Sequence, residues 1–176
     1  MNSPRRLGAA MYIVASILVL ILLTSLFGDA LEHQRNPNLS PISVNPSDST
    51  ASILLQRNRA GHYVFNGTVN GVTAEFLVDT GATAVAVPQQ LADSLGLSRG
   101  APIQALTANG ITTAYATRID SLVVGDLEER DVDASIIPNF PGEQILLGMS
   151  FLKRLDFTQR GDTLILRQRA TDDDPR

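Results

Sequence analysis

The chain has 176 residues, of which 44% are hydrophobic and 18% charged, a balance typical of a folded domain and not of a disordered chain. Its 14 Lys and Arg against 18 Asp and Glu leave a net charge of −4, which argues against a nucleic-acid-binding protein. With no Cys and two His, disulfide frameworks and thiolate metal sites are excluded, and a Ser-His-Asp triad has little material.

An apolar segment near the N-terminus is long enough to cross a membrane. Residues 8–27 contain no charged side chain, and as a helix they would rise about 30 Å, one bilayer thickness. Two arginines precede the segment and acidic residues follow it, which predicts residues 1–7 in the cytoplasm and the rest outside. We therefore expect a single-pass protein of the cell (inner) membrane with an extracytoplasmic or periplasmic domain. A cleaved signal peptide and a buried helix of a soluble protein stay open as alternatives.

The remainder divides into a linker, one domain and a tail. Residues 28–52 are rich in Asn, Ser and Pro without strand or helix periodicity, which predicts an extended extracytoplasmic linker. Residues 171–176 predict an acidic disordered tail. Residues 53–170 are then the folded domain, and they contain no evident internal repeat.

The first half of the domain predicts a hairpin followed by a helix. Residues 62–69 and 72–78 are rich in strand formers, and Asn70-Gly71 between them is a strong hairpin signal. Asn66-Gly67 is an alternative turn that would change the strand register. Further on, Pro88 is placed to begin a helix and Gly96 to end it.

The second half predicts more strands joined by turns. Residues 102–107 and 111–118 form a second predicted hairpin around Asn109-Gly110, and residues 119–124 and 132–137 are strands separated by an acidic turn at 126–131. A loop at 138–142, a short helix at 149–154 and strands at 155–158 and 163–166 complete the pattern. Many short strands indicate an all-β fold, a small β-barrel with one or two short helices after the transmembrane helix.

One acidic residue stands where chemistry is possible. Asp79 directly follows the apolar run Phe76-Leu77-Val78, and Gly81 permits a tight turn that would present the carboxylate. Two carboxylates facing each other cannot both ionise, so one acts as a base toward water while the other, protonated, polarises a carbonyl. The alternative is a strand-ending turn in which the Asp side chain caps neighbouring amides.

Three segments together resemble a known family. They are Phe-Leu-Val-Asp-Thr-Gly-Ala at 76–82, Leu-Ala-Asp-Ser-Leu-Gly-Leu at 91–97, and Ile-Leu-Leu-Gly-Met-Ser-Phe-Leu at 145–152. In sequence, order and spacing, the chain resembles the bacterial membrane-anchored, single-domain retropepsin-like aspartic proteases over about residues 62–166. The resemblance implies a closed β-barrel corresponding to one lobe of a pepsin-type enzyme.

The resemblance also assigns roles to individual residues. It implies that Asp79 is the catalytic aspartate, that the Thr80 hydroxyl braces the two active-site loops across a subunit interface, and that Gly81 offers a backbone amide near the carboxylates. Supporting positions would be Ala82 in the same loop and Leu146, Leu147 and Gly148 packed beneath it, while the hairpin around Ala108, Asn109 and Gly110 would be the flap that closes over bound peptide.

The predicted mechanism requires a second chain. The sequence contains one Asp-Thr-Gly, and Gly161-Asp162-Thr163 is followed by Leu164, so it is not a second copy. We therefore predict an isologous homodimer that acts as an aspartic endopeptidase on a peptide or protein substrate. We expect no cofactor, metal or nucleic-acid partner, and a contact with the lipid bilayer through residues 8–27.

Two other functional classes remain open from the sequence. A non-catalytic peptide-binding or assembly module could use the same barrel, because fold alone does not determine function. For a metal or cofactor enzyme, His62 could approach carboxylates, but a lone His at the start of a strand is usually a surface or capping residue, and the sequence has no glycine-rich loop of the kind that cradles phosphates.

Overall fold

The computed structural model describes residues 3–44, 50–107 and 110–169. Its elements, in chain order, are α1 (Ser3–Arg35), β1 (Ile42–Ser43), β2 (Ser52–Gln56), β3 (Val64–Val69), β4 (Val72–Val78), β5 (Val85–Pro88), α2 (Gln89–Ala92), β6 (Pro102–Thr107), β7 (Gly110–Val124), β8 (Leu127–Ile137), β9 (Ile145–Leu147), α3 (Met149–Leu152), β10 (Leu155–Arg160) and β11 (Thr163–Gln168). The predicted acidic tail, residues 171–176, lies outside the described residues.

The strands form a barrel with a second sheet beside it. Seven strands follow the order β3-β4-β9-β5-β8-β7-β6, and β3 also pairs with β7, which closes the barrel. This closure is uneven, because β3 meets β7 through two residue pairs and β5 meets β9 through one. The strands β1-β2-β11-β10 form the second sheet, which is antiparallel throughout. The prediction of an all-β barrel with short helices is confirmed.

A single apolar core joins the two sheets. Phe65 of β3 and Phe76 of β4 are fully buried and stack with ring centroids 5.3 Å apart. Ile53 and Leu55 of β2 and Leu166 of β11 pack into the same cluster. Because alternate residues of a strand share a face, β2, β3, β4 and β11 each contribute inward side chains to this core. The barrel and the second sheet therefore form one domain.

The first predicted hairpin is confirmed in its register. Val69 pairs with Val72, and Asn70 and Gly71 both have positive φ angles, 51° and 82°, as the favoured two-residue hairpin turn requires. The alternative turn at Asn66-Gly67 is wrong, because both residues lie within β3. A Cβ at Gly67 would lie 2.5 Å from the Val123 carbonyl oxygen, so this glycine permits β7 to approach β3 closely.

The predicted acidic turn at residues 126–131 is wrong. β7 continues without a break to Val124, the chain turns at Gly125-Asp126, and β8 begins at Leu127. The side chain of Leu127 is only 1% exposed and that of Val132 is fully buried. The charged residues between them belong to β8, but the alternation is interrupted at Asp131, whose φ angle is 51°, so the segment lacks the regular pattern of a strand.

The two short helices begin where the sequence predicts and end earlier. α2 ends at Ala92, after which the chain turns as far as Gly96, whose φ angle is 68°. α3 ends at Leu152, two residues before the predicted end. Each helix contains only four residues, too few to be stable without the barrel packed against it.

The N-terminal helix is longer than the predicted membrane segment. α1 contains 33 residues and ends at Arg35, so residues 28–35 are helical and not part of an extended linker. No proline interrupts the sequence between Pro4 and Pro37, and a helix commonly ends shortly before a proline. Residues 36–44 then lie on the domain, where Asn36 and Asn38 are buried and β1 pairs with β2. The predicted linker 28–52 is therefore largely structured; residues 45–49 lie outside the described residues.

Candidate active site

The strand β4 carries Asp79 to the surface of the barrel. The Val78 amide donates to the Tyr63 carbonyl at 3.0 Å, and the Asp79 amide donates to the Leu147 carbonyl at 3.2 Å. The backbone entering the loop is thus held from both neighbouring strands. The Asp79 side chain is half-buried, and Thr80 and Gly81 after it are exposed.

Residues 79–84, the Asp79 loop, connect β4 to β5. The Gly81 amide donates a hydrogen bond of 2.9 Å to Oδ1 of Asp79, and the Ala82 amide donates to the Asp79 carbonyl at 3.3 Å. A Cβ at Gly81 would lie 3.2 Å from the same Oδ1, closer than most side chains tolerate. Glycine therefore lets the backbone turn tightly around the carboxylate, and the turn orients it.

The segment formed by β9 and α3 lies against the Asp79 loop. β9 runs between β4, its parallel neighbour, and β5, its antiparallel neighbour, so Leu146 pairs with both Leu77 and Ala86. Leu147 is fully buried and Leu146 half-buried. These two predicted supporting residues therefore hold the two ends of the Asp79 loop together through backbone pairing as well as packing.

Gly148 allows the closest approach in this arrangement. A Cβ at Gly148 would lie 2.3 Å from the Ala84 carbonyl oxygen and 2.7 Å from that of Ala82, distances at which no side chain fits. Just after it, the Met149 amide donates to the Ala82 carbonyl at 2.8 Å and the Ser150 amide donates to the Thr83 carbonyl at 3.0 Å. The first turn of α3 thus satisfies carbonyls of the Asp79 loop with amides that have no partner inside the helix.

Ser150 is a supporting residue that the sequence analysis missed. Its buried hydroxyl accepts a hydrogen bond of 3.0 Å from the Val85 amide and donates one of 2.7 Å to the Asp133 carbonyl. It thereby joins α3 to β5 and β8. A signal was present, because a serine between the apolar residues Met149 and Phe151 on a short helix must find partners in the interior.

The predicted flap hairpin is formed by β6 and β7. Ala108 and Asn109 at its tip lie outside the described residues, while Gly110 begins β7 with a φ angle of 103°. Near the tip, Leu106 is 85% exposed and Ile111 73% exposed, so the hairpin presents apolar side chains to solvent. Within the part of the chain that the structure describes, no backbone hydrogen bond joins this hairpin to the Asp79 loop.

A β-barrel in which a Leu-Leu-Gly segment packs beneath an Asp-Thr-Gly loop has the architecture of a single-lobe aspartic protease. The family described as "gag-polyprotein putative aspartyl protease" matches residues 65–154. The structure is also similar to the crystal structure of a retropepsin-like aspartic protease from Rickettsia conorii, with 32% identity and a TM-score of 0.58, over 73% of this chain and 96% of that one. The chain belongs to the bacterial retropepsin-like aspartic protease family, and the resemblance seen in the sequence is confirmed.

Two further relatives are similar in sequence. One is an uncharacterised protein from the cobV 5′ region of Sinorhizobium sp., 32% identical over 80% of this chain. The other is an uncharacterised protein of Rickettsia prowazekii (strain Madrid E), 34% identical over 68% of this chain. The chain spans 62% and 53% of their respective lengths.

Proposed function

We propose that this chain is a membrane-anchored aspartic endopeptidase whose active site forms between two copies of the Asp79 loop. The observation that carries the proposal is the Asp79 carboxylate, oriented by the Gly81 amide at 2.9 Å on a loop whose next two residues are exposed. The loop is braced from within its own chain and open on its outer side. A symmetry mate can therefore approach it.

In the proposed dimer, the two-fold axis passes between the two Asp79 side chains. An isologous interface places a residue on the axis against its own copy, and the two carboxylates then share one proton. The ionised carboxylate takes a proton from water as the water attacks the peptide carbonyl, and the protonated one donates to the carbonyl oxygen. Thr80, exposed beside Asp79, would bond across the interface, and the Gly81 amide would hold the carboxylate in place.

The proposed substrate is an extended peptide bound between the Asp79 loops and the β6–β7 hairpins. A peptide in this conformation pairs through its main chain with a neighbouring hairpin, while its side chains alternate between pockets. The exposed Leu106 and Ile111 near the hairpin tip would contribute apolar contacts. Closure of the hairpins over the bound peptide would shield the reaction from bulk solvent.

The exposed side chains of α1 support the membrane anchor. The large apolar residues along the helix are 43% exposed at Leu23 and up to 78% exposed at Tyr12, and none of this apolar window is buried against the domain. An apolar face of this length is stable in lipid and not in water. We propose that residues 8–27 cross the inner membrane and that the domain is periplasmic. Mass spectrometry of the chain isolated from membranes tests this, because a cleaved signal peptide would leave a product that begins near residue 30.

A subunit-mixing experiment tests the dimeric active site. Asp79→Asn retains the shape of the side chain and removes the base, so the homodimeric variant should be inactive on a peptide library. If a dimer needs both carboxylates, mixing parent and variant in equal amounts should leave about one quarter of the activity, since random pairing yields that share of parental dimers. Independent monomers would leave about one half. Parental activity in Asp79→Asn itself would refute protease chemistry at this residue.

The second candidate is a non-catalytic peptide-binding or assembly module. One observation favours it: the described chain carries a single carboxylate in the Asp79 loop, so a monomer lacks the second one that the reaction needs. Analytical ultracentrifugation of the chain in detergent micelles separates the candidates. A monomer at every concentration, without hydrolysis at any pH but with peptide binding, would favour the module.

A further inference from the structure

A network of hydrogen-bonded polar side chains joins the end of α1 to the barrel, and its members on the barrel are largely buried while the Arg35 side chain is 53% exposed. The guanidinium of Arg35, the last residue of the helix, donates to both carboxylate oxygens of Glu75 on β4, at 2.7 and 2.9 Å. The Glu75 side chain is only 15% exposed and also accepts hydrogen bonds from Gln144 and Asn36. A two-pronged arginine–carboxylate pair of this kind fixes orientation as well as distance.

The next residues continue the attachment without a flexible gap. Asn36 is fully buried and donates to the Asn66 side chain at 2.9 Å. Asn38 is 5% exposed; its amide nitrogen donates to the Gln56 and Val64 carbonyls, at 2.9 and 2.7 Å, and its oxygen accepts from the Gln56 amide at 2.7 Å. Pro37 between the two asparagines restricts the backbone further. Hydrogen-bonded polar groups that are buried, as Asn36 and Asn38 are, hold a rigid arrangement, so residues 35–38, the junction, attach the helix firmly to the domain.

The junction lies on the strand that carries the catalytic candidate. Glu75 precedes Asp79 by four residues on β4 and its continuation, which corresponds to about 13 Å along a strand. Residues 28–35 extend the helix beyond the apolar segment by about 12 Å. These two stretches of backbone sum to about 25 Å, and the Arg35–Glu75 side-chain pair links them. The height of the Asp79 carboxylate above the apolar segment is therefore on the order of 25 Å. A flexible linker over 28–52 would instead have allowed a reach of about 80 Å when extended.

A rigid junction also constrains the dimer. Both anchor helices must cross the same bilayer in the same direction. Because the junction fixes each helix relative to its own domain, neither domain can turn independently of its helix. The two-fold axis must then be parallel to the membrane normal. The shared cleft is held at one height above the bilayer and centred between the two anchors.

We propose that the junction makes this chain select substrates by their height above the membrane: extended segments of proteins anchored in the same bilayer. The inference rests on the proposed peptidase function. A substrate segment must span a height on the order of 25 Å, which takes about eight fully extended residues between the bilayer and the scissile bond. If the substrate segment is flexible, cleavage should be fastest when its average end-to-end distance equals the height of the cleft above the bilayer, at about 20 residues. The rate should decline slowly for longer segments.

The test uses two insertions of equal length that differ in stiffness. Seven residues are added between Ala30 and Leu31, which leaves every contact of the junction intact. An alanine-rich insertion continues the helix and raises the domain by about 10 Å with little rotation, whereas a Gly/Ser insertion frees the domain to tilt. The substrates are single-pass reporters with Gly/Ser spacers of 4 to 40 residues before a sequence that the detergent-solubilised parent cleaves in a peptide library.

Parent and variants are each reconstituted with the reporters in vesicles of phosphatidylethanolamine and phosphatidylglycerol. We expect the helical insertion to lengthen the shortest cleavable spacer by about three residues and to reduce cleavage of the parent's shortest reporter at least tenfold. The variant with the Gly/Ser insertion should still cleave that reporter and reporters with shorter spacers. An unchanged shortest spacer in both variants, with soluble peptide cleaved at parental rates, would overturn the proposal. Failure of the solubilised parent to cleave any peptide would instead refute the peptidase function on which it rests.

Discussion

The approach of α3 to the Asp79 loop can be tested by adding one methyl group. In Gly148→Ala, the new Cβ would start 2.3 Å from the Ala84 carbonyl oxygen and 2.7 Å from that of Ala82. Alanine readily adopts the backbone angles of Gly148, φ −88° and ψ −174°, so conformational strain adds nothing. The whole cost therefore comes from the contact with these two carbonyls.

The structure sets the size of the effect. The two backbone segments must separate by about 1 Å to reach ordinary van der Waals contact. That movement stretches the hydrogen bonds from Met149 to Ala82 and from Ser150 to Thr83, now 2.8 and 3.0 Å, beyond useful length. Two lost hydrogen bonds at about 1 kcal/mol each and overpacking of about 1–3 kcal/mol predict a loss of about 3–5 kcal/mol in the free energy of unfolding.

A second glycine provides the matched control. Gly161 has a φ angle of 57°, and no atom lies within 4 Å of the position that a Cβ would occupy there. Gly161→Ala therefore adds conformational strain without a clash and should cost about 1–2 kcal/mol. Urea unfolding of each full-length variant in detergent micelles, followed by far-ultraviolet circular dichroism, measures both values. A Gly148→Ala variant no less stable than Gly161→Ala would refute the close approach. Because the Asp79 amide bonds to Leu147, next to Gly148, we also expect peptide hydrolysis to fall in Gly148→Ala when the variant is assayed below its unfolding transition.

Three further substitutions test other parts of the structure by the same unfolding measurement. Ser150→Ala removes the hydrogen bonds to the Val85 amide and the Asp133 carbonyl and should cost about 1–3 kcal/mol. The control Ser94→Ala, at an exposed turn, should stay within about 0.5 kcal/mol, and equal effects would contradict the role of Ser150. Asn38→Ala removes three hydrogen bonds of the junction and should cost about 2–4 kcal/mol, and a loss below about 1 kcal/mol would show that the junction is loose. Tyr63→Phe should be neutral or stabilising by up to about 1 kcal/mol, because within the described residues the buried Tyr63 hydroxyl has no hydrogen-bond partner, so a clear destabilisation would reveal one.

Local signals predicted the parts of the fold that short stretches of chain determine. The hairpin at Asn70-Gly71 follows from two residues that tolerate positive φ angles. The Asn-Gly pair at 66–67 carries the same local signal and is not a turn, because Gly67 is required where β7 crosses close to β3. A propensity scale cannot separate these two uses of glycine, since the second depends on a strand more than fifty residues away.

Charge density and composition misled the sequence analysis in two places. The run at 126–131 is acidic enough to indicate a solvated turn, yet from Leu127 onward it lies in β8, paired with β7, and both Leu127 and Val132 are buried. The segment after Arg35 has the Asn, Ser and Pro content of a linker, yet Asn36 and Asn38 are buried because each finds partners on β2, β3 or β4. Asparagine reads as a loop residue by composition, and only the tertiary structure supplies the carbonyls that let it be buried.

The arrangement of the candidate site was predictable only through the family resemblance. Asp79 could be singled out from the residues themselves, because it ends an apolar strand before a glycine. The residues that support the Asp79 loop could not be identified in this way. The parallel pairing of Val78 with Leu147 joins positions 69 residues apart, and such a distant contact leaves no periodic pattern in the local sequence. The Leu-Leu-Gly segment was assigned by resemblance, and Ser150, which lies outside that motif, was missed although it bonds to two strands of the barrel.

The same pair of strands carries both the proposed catalytic loop and the attachment of the proposed anchor helix. Glu75 and Asp79 lie at two points along the line of β4, and Gln144, which bonds to Glu75, is followed by β9, whose Leu147 bonds to the Asp79 amide. Because β4 and β9 are paired from Phe76 to Val78, a load applied at the junction reaches the Asp79 loop through a continuous hydrogen-bonded ladder and not through a flexible connection. If the two loops must meet to share a proton and α1 crosses a membrane, the orientation of the two helices and the geometry of the dyad are coupled, and the bilayer then helps to hold the two carboxylates opposite each other.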